Sequence, residues 1–452
     1  MLRMDGWCHE STVLAENKGA IDRSNEFIEV TLTVSDEQVT DPAREVRVAC
    51  KPQWDVWSHL IPCQVGGVEK TGGKVRFRVA FFGDIPAHST ARFGILYGNP
   101  KADPQQERLA LYVRDKGDMV QVDNQAYLIG IDKRTGMMRD IQAKCFRVGG
   151  VEFFNLTPTP VPQPGVSVQF VSGKKNAVSG KWSRASDVAP VTTREEQGSI
   201  YYRHQSTRTL PIPAGVDVEE GPELMTEMLF LASQPFVHIQ ETVRFKVDTP
   251  VFSLRLANFR FQSGVYTHFS FRPVTPDFKH TEVEEIGHIL IAPQYTRGLP
   301  DGSVMSGFLP LEMPWTALLN ISRSSWHTQT RYLLDWTASN RVGYRAATYL
   351  FMEGDEYESA LMPIYARKTD HSGNTTIIPA GTEWSYRIAH HFSPFEEVTW
   401  GEKADAVGRR MNSLLPVQVH PRPILDNGEW GEHPVFTCAG KRTDDYQTSG
   451  VR

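Results

Sequence analysis

Apolar and polar residues alternate with period two along much of this chain. Ile28, Val30, Leu32 and Val34 alternate with Glu29, Thr31 and Thr33, which gives an extended strand one apolar and one polar face. Val75, Phe77, Val79 and Phe81 repeat the pattern against Lys74, Arg76 and Arg78, after the turn residues Thr71, Gly72 and Gly73. Residues 91–97 read as a further strand that stops at Gly98-Asn99-Pro100. A small all-β unit is therefore expected over 26–112, behind a polar, irregular lead-in over 1–25.

A second unit is expected over 113–400. Tyr127, Ile129 and Ile131 alternate, Asp132 to Gly136 supplies a turn, and 137–141 can return as the hairpin partner. Further strands are predicted at 166–170, 200–210, 224–231, 237–247, 252–261, 265–271, 286–291, 341–350 and 384–392. So many successive strands predict a mainly β protein whose second unit is a large antiparallel β-sandwich. Helical spacing occurs at 355–367, interrupted by Pro363, and at 402–415, ended by Pro416. Residues 401–452 thus read as a helix and an irregular tail.

Composition narrows the class. A chain of 452 residues exceeds what one growing core holds, and 40% hydrophobic with 10% aromatic residues supplies core material. The formal charge of -5 is spread through interspersed charges, so nucleic acid is not an expected partner. No run of about 18 apolar residues exists, so no membrane span is expected. The start lacks an apolar h-region; the chain as written is expected in the cytoplasm, and outside the cell only if a leader has been removed. The five cysteines are scattered and contain no CxxC, which gives neither a disulfide framework nor a zinc site.

Phosphate-loop and dinucleotide fingerprints are missing, as are G-x-S-x-G and H-E-x-x-H. What remains is polar chemistry on strands. Over 265–272, alternation places Tyr266, His268, Ser270 and Arg272 on one face. This set suits an anionic sugar: Arg272 grips a carboxylate while His268 or Tyr266 moves protons; a solvated outer face is the alternative. Tyr201, Tyr202, Arg203 and His204 form a second aromatic and charged set, split between two faces. Glu241 interrupts the apolar row Val237, Ile239, Val243, Phe245 and Val247, as a carboxyl of raised pKa or an ion-paired core residue. His280, Glu284 and His288, with Glu282 and Glu285 among them, form the densest set of metal-ligand types. No cofactor is expected otherwise; a divalent cation such as calcium is the one such ligand this cluster would take. His390 and His391 fall on opposite faces of a strand.

Two stretches resemble a known family. Ile61-Pro62-Cys63-Gln64-Val65, the strand at 75–81, and Pro86 to Thr90 before 91–97 are similar to the small N-terminal barrel of exo-acting rhamnogalacturonan lyase-like proteins. Asn124 to Ile129 with the Asp132 to Gly136 turn resembles the large galactose-mutarotase-like β-sandwich of that group, so the likeness covers 26–400. The family carries a helical toroid after its sandwich, for which 401–452 are too few. The resemblance implies carbohydrate processing. The leading expectation is a polysaccharide lyase, a carbon–oxygen lyase acting on a uronate-containing oligosaccharide or polysaccharide. His268 or His204 would act as base and Tyr266 or Tyr202 as acid, with Arg272, Arg203, Tyr201 and Glu241 binding substrate. The rivals are a glycoside hydrolase pairing Glu241 with Glu284 or Glu285, and a non-catalytic glycan-binding or structural assembly protein.

Overall fold

The computed structural model describes residues 7–50, 59–103, 111–147, 150–157, 160–171, 178–262, 268–271, 279–282, 297–298, 304–305, 316–322, 327–338, 345–353, 356–364, 376–394, 407, 410, 415–420 and 435–437. Seven strands come first: β1 (His9–Asn17), β2 (Arg23–Ser35), β3 (Arg47–Cys50), β4 (His59–Ile61), β5 (Cys63–Thr71), β6 (Lys74–Ile85) and β7 (Ser89–Tyr97). A meander follows: β8 (Tyr112–Asp115), β9 (Met119–Asp123), β10 (Tyr127–Asp132), β11 (Met138–Arg147) and β12 (Gly150–Asn155). Then come β13 (Ser167–Val171), β14 (Val178–Arg184), β15 (Thr192–Gln197), β16 (Tyr201–Thr209), β17 (Glu223–Leu231), β18 (Phe236–Phe245) and β19 (Thr249–Gln262). Next are β20 (His268–Phe271), β21 (Lys279–Glu282), β22 (Arg297–Gly298), β23 (Val304–Met305), β24 (Thr316–Ser322), β25 (His327–Ala338) and β26 (Arg345–Glu353). The last are β27 (Glu356–Ile364), β28 (Thr376–Ile378), β29 (Thr382–Pro394), β30 (Val417–His420) and β31 (Val435–Thr437).

The small unit packs sheet β30-β1-β7-β3-β4 against sheet β31-β2-β6-β5. Its core comes from the alternating positions that the sequence displays: Ile28, Val30, Leu32, Val75, Phe77, Val79 and Phe81 are all buried. The large unit sets the nine-stranded sheet β15-β16-β17-β18-β29-β25-β24-β20-β21 against β14-β13-β19-β27-β26 and the meander β12-β11-β10-β9-β8, with one core between them. The protein is mainly antiparallel β, as its period-two patterning requires.

Three sequence expectations are corrected. The lead-in over 1–25 contains β1, which pairs with β7 along its whole length. Its alternation is hidden because both faces are covered: Ser11, Thr12 and Asn17 are buried alongside Val13, Leu14 and Ala15. Asn17 meets that burial by donating to the carbonyls of Ile21, Ile85 and Pro86. Residues 355–367 hold strand β27 rather than a helix, because consecutive residues Glu358, Ser359, Ala360 and Leu361 are buried between β19 and β26. Glu358 accepts from Arg255, Asn258 and Arg260, and these donors hold its carboxylate below the usual range against the opposing effect of burial. The tail includes two strands, β30 on β1 and β31 on β2, while Val407 and Arg410 are helical.

The small unit docks on the nine-stranded sheet through Phe27 and Ala80 against Ile200, Tyr201, Leu229 and Leu231. The Phe27 and Tyr201 rings meet edge to face, 6.1 Å apart, a contact worth about 1 kcal/mol beyond its area. Gln64 of β5 reaches across and accepts from the Ile200 and Tyr201 amides at 3.1 and 2.9 Å.

Candidate functional site

Directly paired residues of adjacent strands share a face, so the register sorts the candidate side chains. The core-facing rows are Tyr202, Phe230, Val237 and His390; then His204, Met228, Ile239 and Ile388; then Ser206, Thr226, Glu241 and Tyr386. The opposite face carries Tyr201, Leu231, Phe236 and His391; then Arg203, Leu229, His238 and Ala389; then Gln205, Glu227, Gln240 and Arg387.

The core-facing candidates form a polar seam inside the sandwich. Burial pushes the Glu241 carboxyl above its ordinary value, opposed by hydrogen bonds from Tyr386 and from Thr226 Oγ1, the latter at 3.2 Å. Arg208 donates to the carbonyls of Thr135 and Ala185 and to Ser206 Oγ, at 2.6–2.8 Å. Glu241, Asn258 and His390 line a cavity of about 30 Å³, room for a water but far below the size of a sugar pocket. Glu241 is therefore a hydrogen-bonded core residue. His204 sits beside it on the same face, buried, with Nδ1 3.3 Å from Glu195 Oε1 at the sheet edge. Burial depresses the His204 imidazole, Glu195 opposes that, and Arg208 adds to it. The Tyr202 ring lies in the core against Phe230, and burial raises its phenol further from ionisation.

Tyr201 and Arg203 face the small unit. Arg203 Nη2 donates to both Glu29 oxygens at 3.0 and 2.8 Å, and Nη1 to Glu196 at 3.3 Å. Arg203 Nε lies 3.5 Å from Glu227, and the guanidinium covers the Tyr201 ring. Tyr201 donates to Glu196 at 2.9 Å, and Arg78 of β6 pairs with the same carboxylate. The Arg203 guanidinium, expected from sequence to bind substrate, is thus taken up by carboxylates of the protein itself.

Next to this contact the same face turns polar. Gln205 Nε2 donates to Glu227 at 2.6 Å, and the row continues through Gln240 to Arg387; four strands at about 4.8 Å spacing make it roughly 14 Å long. His238 lies beside the row, opposite the small Ala389. Its side chain is 3% exposed, and neither ring nitrogen meets a hydrogen-bond partner among the described residues. Burial, and then the nearby Arg387 charge, lower its pKa to about 3, so the ring is neutral near pH 7. A neutral imidazole has one donor and one acceptor, and leaving them unmatched costs about 1–3 kcal/mol. Phe236 and His391 stack beside it with centroids 4.5 Å apart, giving a flat aromatic shelf.

Other candidates fall elsewhere. His268 lies on β20, six strands from β16 in the sheet order, or roughly 29 Å along the sheet. Its backbone register runs through Ile321 and Thr328 to Ser393. The structure therefore does not bring His268 together with Tyr202 or His204. His280 is on β21, paired with Ser270; Tyr266, Arg272, Glu284, Glu285 and His288 lie outside the described residues. No group of metal ligands occurs among the described residues, and no described helix is long and apolar enough to cross a membrane.

Sequence reading followed the apolar side of β18 and passed over its other side. Phe236, His238, Gln240 and Thr242 alternate with the Val237 to Val243 row, so the same periodicity contained the signal. The pairing with Arg387 and His391 is long-range and needs the register.

No protein-family model matches the sequence, and no curated protein does. In structure, the chain is similar to a protein of glycosyl hydrolase family 38 from Enterococcus faecalis, with TM-score 0.53, 9% identity, and coverage of 91% of this chain and 48% of that one. It is similar also to an alpha-mannosidase from Enterococcus faecalis V583, with TM-score 0.52, 9% identity, and coverage of 94% and 47%. The chain spans about half the length of these proteins. At this identity the likeness is one of fold, and it does not single out the rhamnogalacturonan lyase-like group.

Proposed function

We propose that this protein is carbohydrate-active and cleaves a uronate-containing glycan by β-elimination on the polar face of its nine-stranded sheet. The observation that carries this reading is His238, a buried neutral imidazole with both nitrogens unmatched among the described residues, beside Arg387. Elimination needs a cation for the uronate carboxylate and a base for the adjacent proton. Arg387 would hold the first, and His238 would take the second and return that proton to the departing glycosidic oxygen as the carbon–oxygen bond breaks and the carbon–carbon double bond forms. A bound carboxylate offsets the Arg387 charge that depresses His238, and so makes the ring more basic when substrate is present. The Phe236 and His391 shelf would receive the apolar face of a sugar ring, and Gln205, Glu227 and Gln240 its hydroxyls.

A second reading is hydrolysis, favoured by the shared fold with the glycosyl hydrolase family 38 protein. Incubation with a panel of uronate polysaccharides, with and without calcium, separates the readings. A rise in ultraviolet absorbance from the unsaturated product, lost in His238→Ala, is the expected result. New reducing ends without absorbance would establish hydrolysis instead, and neither signal would leave a glycan-binding protein.

A further inference from the structure

The shelf residue Phe236 begins β18 directly after the turn 232–235, so the position of that turn sets where the ring lies. The large unit holds the turn by its own groups: Asn124 Nδ2 donates to the carbonyls of Leu231 and Gln234 at 2.9 and 3.0 Å, and the Phe392 amide to Pro235 at 3.0 Å. One further clamp comes from the small unit. Asn25 Nδ2 donates to the Ser233 carbonyl at 2.9 Å, and Gln234 Nε2 returns a bond to the Asn25 carbonyl at 2.5 Å.

Asn25 is in no ordinary strand position. The β2–β6 register shifts between Arg23 and Glu26, and Asn25 has φ 56°. The Asp84 carboxylate accepts from the Asn25 amide at 2.6 Å and fixes this conformation. A left-handed non-glycine residue is uncommon, with asparagine among the residues that tolerate it, and a bulge re-aims a side chain. Here the re-aimed amide leaves its own sheet and bonds a turn more than 200 residues away.

We infer that the small unit is a working part of the sugar site, with Asn25 and Gln234 as positioning residues that set Phe236 and, through it, His391 and His238. This rests on the sugar-binding reading above, but its geometry can be tested separately.

Asn25→Gly keeps the left-handed backbone and removes the amide, whereas Asn25→Asp keeps the size and replaces the donor with an acceptor facing a carbonyl. Both are compared with the wild-type full chain, using trigalacturonate as the binding probe and the His391 imidazole NMR signals as a probe of the shelf. Expected are about ten-fold weaker trigalacturonate binding in both variants, displaced His391 ring-current shifts, and a His391 titration midpoint moved up, with melting temperature close to wild type. His391 signals unchanged in both variants would overturn the inference, whatever the affinities. Displaced His391 signals with no trigalacturonate binding even by the wild type would support the clamp and overturn the uronate reading instead.

Discussion

Buried and half-buried titratable groups on the two faces of the nine-stranded sheet make opposite demands on pH. Burial lowers His391 to about 4 and, with Arg387, His238 to about 3. Because these folded values lie below the ordinary 6.5, the unfolded chain takes up protons first as pH falls. The stability the two rings contribute is complete above about 6.5 and is lost as pH falls toward the folded values. We predict that the melting temperature drops over this range and that His391→Gln makes the drop shallower; parallel wild-type and variant curves would remove His391 from the cause. Glu241 has the opposite sign. Its raised pKa means that its contribution is present below the ordinary carboxyl value and is lost as pH rises through the folded one. Glu241→Gln, neutral and near in shape, should be more stable than wild type on the alkaline side and equal to it in acid. Glu358 differs from both: Arg255 and Arg260 depend on its charge. Glu358→Gln removes the carboxylate that the buried Arg255 and the half-buried Arg260 both pair with and should cost roughly 3–5 kcal/mol, read as a large fall in melting temperature.

At the scale of elements, strands were legible where one face is apolar and the other wet. β6 and the last half of β2 show this, and Val30 or Phe77 could be placed in the core from spacing alone. β1 and β27 were hidden because residues on both faces are buried, which erases the alternation. β30 was hidden by length: Val417 and Val419 are buried, yet one alternation in four residues does not rise above chance. The candidate site was half legible. The mixed chemistry of β16 and the intruding Glu241 were visible in sequence, but which carboxylate meets Arg203, and that His238 stands opposite Ala389, depend on pairings between distant strands. β30 and β31 also carry a prediction. They cover the β1 and β2 edges of the two sheets of the small unit, so deleting 416–452 should bare both edges. Amide exchange in β1 should then rise sharply and the protein should self-associate; unchanged β1 protection would show that the tail strands add nothing to the small unit.

For the whole molecule the decisive contact is the one between the units. Glu29 and Arg203 are 5% and 3% exposed, so their pairing is a buried one, with Arg78, Glu196 and Glu227 around it. A buried ion pair adds little over an apolar pair of similar size, but breaking one side of it is expensive. Arg203→Met alone leaves Glu29 and Glu196 to share the single guanidinium of Arg78 and should loosen the docking, whereas Arg203→Met with Glu29→Leu should recover much of the loss. The readout must report the interface and not global unfolding, because a chain with two cores need not unfold in one step. The Ile200 and Tyr201 amides supply it, since both donate to Gln64 of the other unit. Their hydrogen exchange should accelerate in the single variant and slow again in the double variant. Equal exchange in the wild type and Arg203→Met would mean that the apolar contact of Phe27 with Tyr201 and Leu229 holds the units together without the charges. In that case Asn25 would still reach Ser233, because its path to the polar face does not pass through Arg203.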